Sequence, residues 1–456
     1  MKNARVVPLF KKNSRADVGN YRPVSILSTI SKIFERLVYE QVEEYLIRHD
    51  ILYELQSGFR AAHSTDTCLI HLFDYVRQNL DQGNYVGMLL LDLQKAFDTV
   101  NHDILTSKLQ CMGFSNLALK WFSSYLTDRT QVCDVEGTLS EPQSIVCGVP
   151  QGSILGPLLF LLYINDMSAV VHFKLLLYAD DSALLVPGCN VSDIENTLGA
   201  ELESVNQWLI VNKLSMHLGK TESILFGTKR KLVKSNVLKV MCNGSEIVSR
   251  SNVTYLGLTL DQSLTGESIA AKILDKCACK LKFLYRKTRF LDCTVKKLLA
   301  MTLIQCHIDF ACSAWFSGLT VKLKNKFKVL QNNVIRYLLN APPRTHIGRE
   351  EFNKAGLLPV HLRVEQLKLN HMFNIVNGKA PNYLNANINM VHTQHKHNTR
   401  ASIRSCIVPK VKNAGKHSFF YTGIMVWNGL PTATQLASSS GIFKRQVKQI
   451  LWNKIF

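Results

Sequence analysis

Apolar positions along this chain recur in two rhythms, and each predicts a different element. In the first 85 residues, among basic turns, Ile30, Ile33, Leu37, Val38, Val42 and Leu46 fall at helical spacing and predict one amphipathic helix. From Val86 the rhythm changes to short apolar runs that end in carboxylates. The run Val86 to Leu91, closed by Asp92, predicts a strand buried on both faces. His102 to Met112 predicts a helix, with Asn101 suited to cap it. Phe173 to Val186 predicts strand, tight turn, strand, with Ala179, Asp180 and Asp181 at the turn.

A further helix is expected between Val191 and Leu209, and a short strand within Ser251 to Leu260. Beyond about Gly266 the pattern becomes helical and basic, with Lys272, Lys276, Lys280, Lys282, Arg286, Lys287 and Arg289 in one stretch. A second basic helical stretch, Val321 to Leu339, stops before Pro342 and Pro343. The rest, through Phe456, is expected to form a separate small region. These shifts predict divisions into 1–85, 86–260, 261–345 and 346–456, where length alone suggests roughly three domains for 456 residues.

Composition adds a partner class. A hydrophobic share of 46% supports a sizeable core, and a formal net charge of +20 points to a polyanion, either nucleic acid or an acidic membrane surface. The most apolar run, Ile154 to Ile164, is interrupted by Gly156 and Pro157 and falls short of the ~20 residues of a spanning helix, so no membrane partner is expected. The start shows no signal-peptide core, and the 12 cysteines show no C-x-x-C pairing. Reduced thiols and no structural zinc follow as expectations, with a chain that is not secreted.

Three separated carboxylates carry the candidate chemistry. Asp92 ends a buried strand, and Asp180 and Asp181 tip a hairpin far along the chain. A charge at the end of a buried strand is costly unless it is paired or binds a cation. Brought together, the three would form a set of hard oxygens suited to Mg²⁺. Taken alone, an Asp-Asp pair is an ordinary turn, since Asp favours turns.

The surrounding motifs change that picture. In chain order they are Asn20 to Leu27 (NYRPVSIL), Gln56 to Arg60 (QSGFR), Leu91 to Val100 (LDLQKAFDTV), Gly148 to Pro157 (GVPQGSILGP), Tyr178 to Asp181 (YADD), Leu214 to Glu222 (LSMHLGKTE) and Tyr255 to Gly257 (YLG). With these the chain resembles the reverse transcriptases of non-LTR (LINE-type) retrotransposons, in particular the jockey and chicken-repeat groups. The resemblance is strong from about Val6 to Gly257. It continues more loosely through Cys312 to Trp315, Gly356 to Pro359 and Trp427 to Pro431.

The resemblance implies an α+β right-hand polymerase with a mainly helical C-terminal half. Residues 1–85 would be fingers, 86–260 a palm with the active site, 261–345 a basic helical thumb, and 346–456 a region of unknown role. It implies an RNA template, a DNA primer, dNTPs and two Mg²⁺ ions, with Mn²⁺ as an alternative, in a ribonucleoprotein of nucleus and cytoplasm. Asp92 and Asp180 match the principal metal ligands, with Asp181 in support. Phe97 matches an aromatic gate against a ribose 2′-hydroxyl, and a core aromatic there is compatible with that role. Arg22, with Lys11 or Lys12, matches the grip on the incoming triphosphate; for the two lysines a solvated basic turn is the competing reading. Gln151 is expected to touch nucleotide or template. Lys220 matches a lysine that protonates departing pyrophosphate, against an ordinary surface lysine.

Some features depart from the pattern or stand outside it. His217 replaces the family's usual Asn in the Lys220 loop. The chain starts almost at the first polymerase segment, so an N-terminal endonuclease is expected to be missing. Asp98 is expected to be a helix-start charge outside the metal cage. His392, His395 and His397 form a cluster expected to be a solvated loop, as is Lys229 to Lys231 with Lys234. Trp315 and Trp427 are expected in the core. The competing functional reading is a catalytically silent, nucleic-acid-binding remnant; an RNA-dependent RNA polymerase shares the carboxylate logic but not the Phe97 gate.

Overall fold

The computed structural model describes residues 2–11, 14–233, 237–288, 290–391 and 404–455. Lys12, Lys234, Arg289, His392, His395 and His397 lie outside the described residues.

The strands are β1 (Asn3–Phe10), β2 (Tyr21–Ile26), β3 (Tyr85–Leu91), β4 (Arg129–Val135), β5 (Thr138–Leu139), β6 (Gln143–Ile145), β7 (Lys174–Tyr178), β8 (Asp181–Gly188), β9 (Glu222–Phe226), β10 (Val240–Cys242), β11 (Ser245–Ser249), β12 (Asn252–Tyr255) and β13 (Leu258–Asp261). A six-stranded sheet in the order β10-β11-β9-β3-β8-β7 forms the centre. β3 pairs antiparallel with both β8 and β9, so the strand ending at Asp92 lies beside the hairpin carrying Asp180 and Asp181.

Burial on both faces explains why β3 reads as one apolar run. Val86 and Met88 face one apolar cluster with helix Thr65–Gln82, while Leu89 and Leu91 face a second with helices Leu155–Ile164 and Val191–Val211. Successive side chains alternate, as a pleated strand requires. Gly87 is part of the fit: a Cβ there would lie 2.4 Å from the Ile194 side chain, so helix Val191–Val211 can close on the sheet only over glycine.

A second sheet, β2-β1-β4-β5 with β6 on β4, lies apart in pairing. Here β1 runs antiparallel to β2 and parallel to β4. The segment Ser251 to Leu260 holds two strands rather than one: β12 and β13 turn back on each other through Leu256 and Gly257, both at positive φ.

The helix Thr29–Arg48 forms where spacing predicted it, capped by the Ser28 hydroxyl, but it is turned differently. Its buried line is Ser31, Glu35, Val42 and Leu46, while Ile30, Ile33 and Leu37 are exposed at 58%, 57% and 52%. The reason is tertiary: the Glu35 carboxylate is drawn inward to the start of helix Leu155–Ile164.

The basic helices are Glu267–Lys287 and Val321–Leu339, the latter ended by Asn340 in the left-handed conformation. Trp315 and Trp427 are fully buried, each donating its indole N–H to a backbone carbonyl. The apolar cluster that begins at Cys68 is continuous through Phe373, Trp427 and Phe443 to Ile455, so the described residues of 346–455 share a core with the central sheet. Among the described residues no single helix is long and apolar enough to cross a membrane. One bent pair, Cys293–Asp309 with Cys312–Gly318, passes on length and composition, and its Ile304, Ile308 and Trp315 are buried in that same cluster.

Candidate active site

The sheet register brings the carboxylates together. The last β3–β8 pair is Leu91 with Ser182, so Asp92 follows at the level of Asp181. Between β7 and β8 the chain reverses at Ala179, held at φ +55°, and Asp180. Burial, then the neighbouring carboxylates of Asp180 and Asp92, push Asp181 up to about 6. Asp180 is raised as well, chiefly by burial, with Asp92 adding to the rise and Arg22 and Lys11 opposing it.

All eight side chains singled out in the sequence line one cleft of about 1220 Å³: Lys11, Arg22, Asp92, Phe97, Gln151, Asp180, Asp181 and Lys220. Two of the cations come from the β1–β2 hairpin, where Arg22 pairs with Leu9 and the Lys11 amide donates to Asn20. Phe97 is half-buried and clamped, stacked on Phe160 at 4.3 Å and edge-on to Phe59 at 6.2 Å.

The Lys220 ammonium lies 3.4 Å from Asp92, in a pair too exposed to add much stability. Its loop is tied to Asp92 by backbone: the His217 N–H donates to the Asp92 carbonyl at 2.7 Å, and the His217 carbonyl accepts from Lys220. This role for His217 uses only its main chain, so the replacement of Asn leaves it intact. Lys231 donates to the Gly83 carbonyl and lies over the Tyr85 ring, away from the cleft residues.

Gln151 is held in place by Asp98. Its Nε2 donates to Asp98 Oδ1 at 2.8 Å, and its carbonyl accepts from the Ser25 amide at 2.7 Å. The glycine-rich loop is zipped onto the segment after Asp92, with Gly148 N–H to Val100 and Val149 N–H to Phe97. Gly148 sits at φ +86°, and a Cβ there would lie 2.7 Å from the Asp98 carbonyl oxygen. Asp98 is therefore a cleft residue outside the three metal candidates, with its carboxyl raised chiefly by burial. The spacing of the second aspartate after a strand-ending first one was the available signal; its partner at Gln151 was not visible in sequence.

Two further residues were missed. Gln56 accepts from the Ala179 amide at 3.0 Å and so braces the carboxylate turn. Glu35, 2% exposed, accepts from the Ile154 and Leu155 amides at the end of the Gln151 loop.

A divalent cation fits the donor chemistry here: three carboxylates supply hard oxygens and crowd one another without a matched cation at each. Among the described residues no group of three or more His, Cys, Asp and Glu side chains is placed so that it could hold a metal ion as it stands. Asp92 is paired with Lys220 instead.

Residues 10–260 match the family model described as reverse transcriptase (RNA-dependent DNA polymerase). The chain is 30% identical over 335 residues to the probable RNA-directed DNA polymerase from transposon BS of Drosophila melanogaster, covering 71% of this chain and 36% of that protein. It is 26% identical over 357 residues to the RNA-directed DNA polymerase from mobile element jockey of Drosophila funebris, covering 74% and 38%. The chain thus spans just over a third of the length of these curated relatives. Among solved structures, telomerase from Candida tropicalis in complex with a telomeric RNA fragment aligns at TM-score 0.44 and 12% identity, over 99% of this chain and 64% of that one. The RNA-dependent RNA polymerase of a human picobirnavirus aligns at 0.42 and 13%, over 79% and 61%. Likeness at that level leaves the fold to rest on the strand order and the family match. A mixed sheet whose antiparallel β3, β7 and β8 bring the aspartates together, inside a matched family span, gives this chain a right-hand polymerase fold and makes it a member of the reverse transcriptase family, similar to relatives named for mobile elements.

Proposed function

We propose that this chain adds dNTPs to the 3′ end of a DNA primer on an RNA template, by phosphoryl transfer with two Mg²⁺ ions or with Mn²⁺ in their place. The observation that carries the reading is the single cleft shared by three carboxylates and the residues matched to nucleotide binding. Asp92, Asp180 and Asp181 would hold the ions, which when bound would help activate the 3′-hydroxyl and offset charge on the departing pyrophosphate.

The chain's own groups supply the rest. Arg22 and Lys11, which line the same cleft as the carboxylates, neutralise and orient the triphosphate. Gln151, fixed by Asp98, offers a hydrogen bond to nucleotide or template. The clamped Phe97 ring would collide with a 2′-hydroxyl, favouring deoxynucleotides. Lys220, 3.4 Å from Asp92, would deliver a proton to pyrophosphate. In this reading residues 1–85 act as fingers, 86–260 as palm and 261–345 as thumb, with exposed Lys272, Lys276, Lys282 and Arg286 meeting backbone phosphates.

The test is incorporation of dNTPs on a primed RNA template in Mg²⁺. Wild-type chain extends, Asp180→Ala binds template and extends nothing, and Phe97→Ala gains ribonucleotide incorporation. Wild-type chain that binds and never extends would instead be a silent remnant. Extension surviving in Asp180→Ala would remove the metal assignment.

A further inference from the structure

None of the described residues of 346–455 lines the cleft. They are fastened to helix Thr65–Gln82 by side chains rather than by apolar contact alone. Asp74 accepts from the Phe419 and Phe420 amides at 2.8 and 2.9 Å. Arg77, 2% exposed, donates to the carbonyls of Ala314 and His417, each at 2.7 Å. Asp81 accepts from the Lys412 and Ala414 amides at 2.8 and 2.7 Å. Buried or partly buried charged groups that each satisfy two backbone groups fix orientation as well as contact.

From this docked region Tyr383 reaches the motif Gln56 to Arg60. It is 5% exposed, with its ring against His71 at 4.9 Å. Its hydroxyl lies 2.9 Å from Ser57 Oγ and 3.2 Å from Thr67 Oγ1. Ser57, 2% exposed, donates its amide to the Leu177 carbonyl at 2.8 Å, one strand residue before Tyr178. The adjoining Gln56 side chain accepts from both the Gly58 and Ala179 amides, at 2.9 and 3.0 Å. The approach is close enough that a Cβ on Gly58 would sit 2.3 Å from the Ala179 nitrogen. Ala179 carries the left-handed backbone that aims Asp180 and Asp181 at Asp92. An alanine holds that conformation only when its surroundings over-determine it.

We propose that Tyr383 is a positioning residue for the catalytic turn, acting through Ser57 and Gln56 on Ala179, and that the docked segments around Tyr383 and at residues 412–420 thereby complete the polymerase site. The inference rests on the polymerase reading above for its effect on rate. The brace itself is separately measurable. Tyr383→Phe keeps the ring and removes only the hydroxyl.

The experiment compares the wild-type chain, Tyr383→Phe, Ser57→Ala, their double variant, and Ser115→Ala as a stability control, whose hydroxyl caps the Ala118 amide of helix Asn116–Leu126. Two readouts are taken: kcat and KM for dNTP on primed RNA, and amide exchange across residues 177–182 by mass spectrometry. Tyr383→Phe is expected to lower kcat about tenfold with KM and template affinity within about twofold, as misplacement of reacting groups does. Ser57→Ala should match it, and the double variant should be no worse than either single, since both remove one brace. Exchange at the turn should quicken in the same variants. Ser115→Ala should lower the melting temperature, by loss of a helix cap, and leave kcat and turn exchange as in wild type.

Wild-type kcat and exchange in Tyr383→Phe, or losses that multiply in the double variant, would overturn the proposal. So would losses of the same kind in Ser115→Ala. A wild-type chain that does not extend would sink the polymerase reading alone, and the exchange comparison would still decide the brace.

Discussion

Glu35 offers a direct test of how the glycine-rich loop is held. Helix Leu155–Ile164 follows that loop, and Ile154 at its start has no side chain able to cap it. The cap comes from far away in sequence: Glu35 Oε2 accepts from the Ile154 amide at 2.6 Å and the Leu155 amide at 3.2 Å, while Ser153 Oγ accepts from Gly156. Each hydrogen bond to a charged group contributes ~1.5–3 kcal/mol, and a carboxylate at a partly buried helix N-terminus up to ~2 kcal/mol more. Against this stands the desolvation of a carboxylate that is 2% exposed, which costs several kcal/mol and cancels part of the gain.

Truncation removes both terms but leaves two buried amides without partners. The net loss for Glu35→Ala should therefore be about 3 kcal/mol, and for Glu35→Gln, which keeps an acceptor, about half that. Urea unfolding followed by circular dichroism measures it. With a slope of ~3 kcal/mol per molar or more, the Glu35→Ala midpoint should fall by up to ~1 M. Folded Glu35→Ala should also show a raised dNTP KM, because the loop it releases carries Gln151. A midpoint within ~0.1 M of wild type would refute the capping argument.

Gly148→Ala should abolish extension, since its Cβ meets the Asp98 backbone at 2.7–2.9 Å and its φ is +86°; an active Gly148→Ala chain would show that the loop is not docked this way. Lys368 supplies a pH test. It is 4% exposed, bonded to the hydroxyls of Ser317 and Thr422, and burial lowers it from 10.5 to about 8. Between those values the unfolded chain holds a proton that the folded chain has released, so this group makes stability rise with pH across that window. Lys368→Met should lose that rise when urea midpoints are compared from pH 8 to 10.5; an unchanged slope would contradict it.

Much of the fold could be read from short stretches of chain because strand and helix periods are local. β3 is an apolar run because both its faces are covered, and Asn101 caps its helix from the adjoining residue. The carboxylates were legible for the same reason: each sits at the end of its own apolar segment. What sequence spacing left undecided was every contact made across the fold. It placed Ile30, Ile33 and Leu37 on a buried stripe, whereas the helix turns by the pull of Glu35 on amides 119 and 120 residues away.

The same distinction governs the site. That Asp98 faces Gln151, that Gln56 braces Ala179, and that Tyr383 reaches Ser57 across 326 residues depends on how separately formed elements dock. Periodicity reports only which side of an element is apolar. Which partner a polar side chain finds is decided when buried donors and acceptors are matched among distant segments, and that matching is a property of the assembled core.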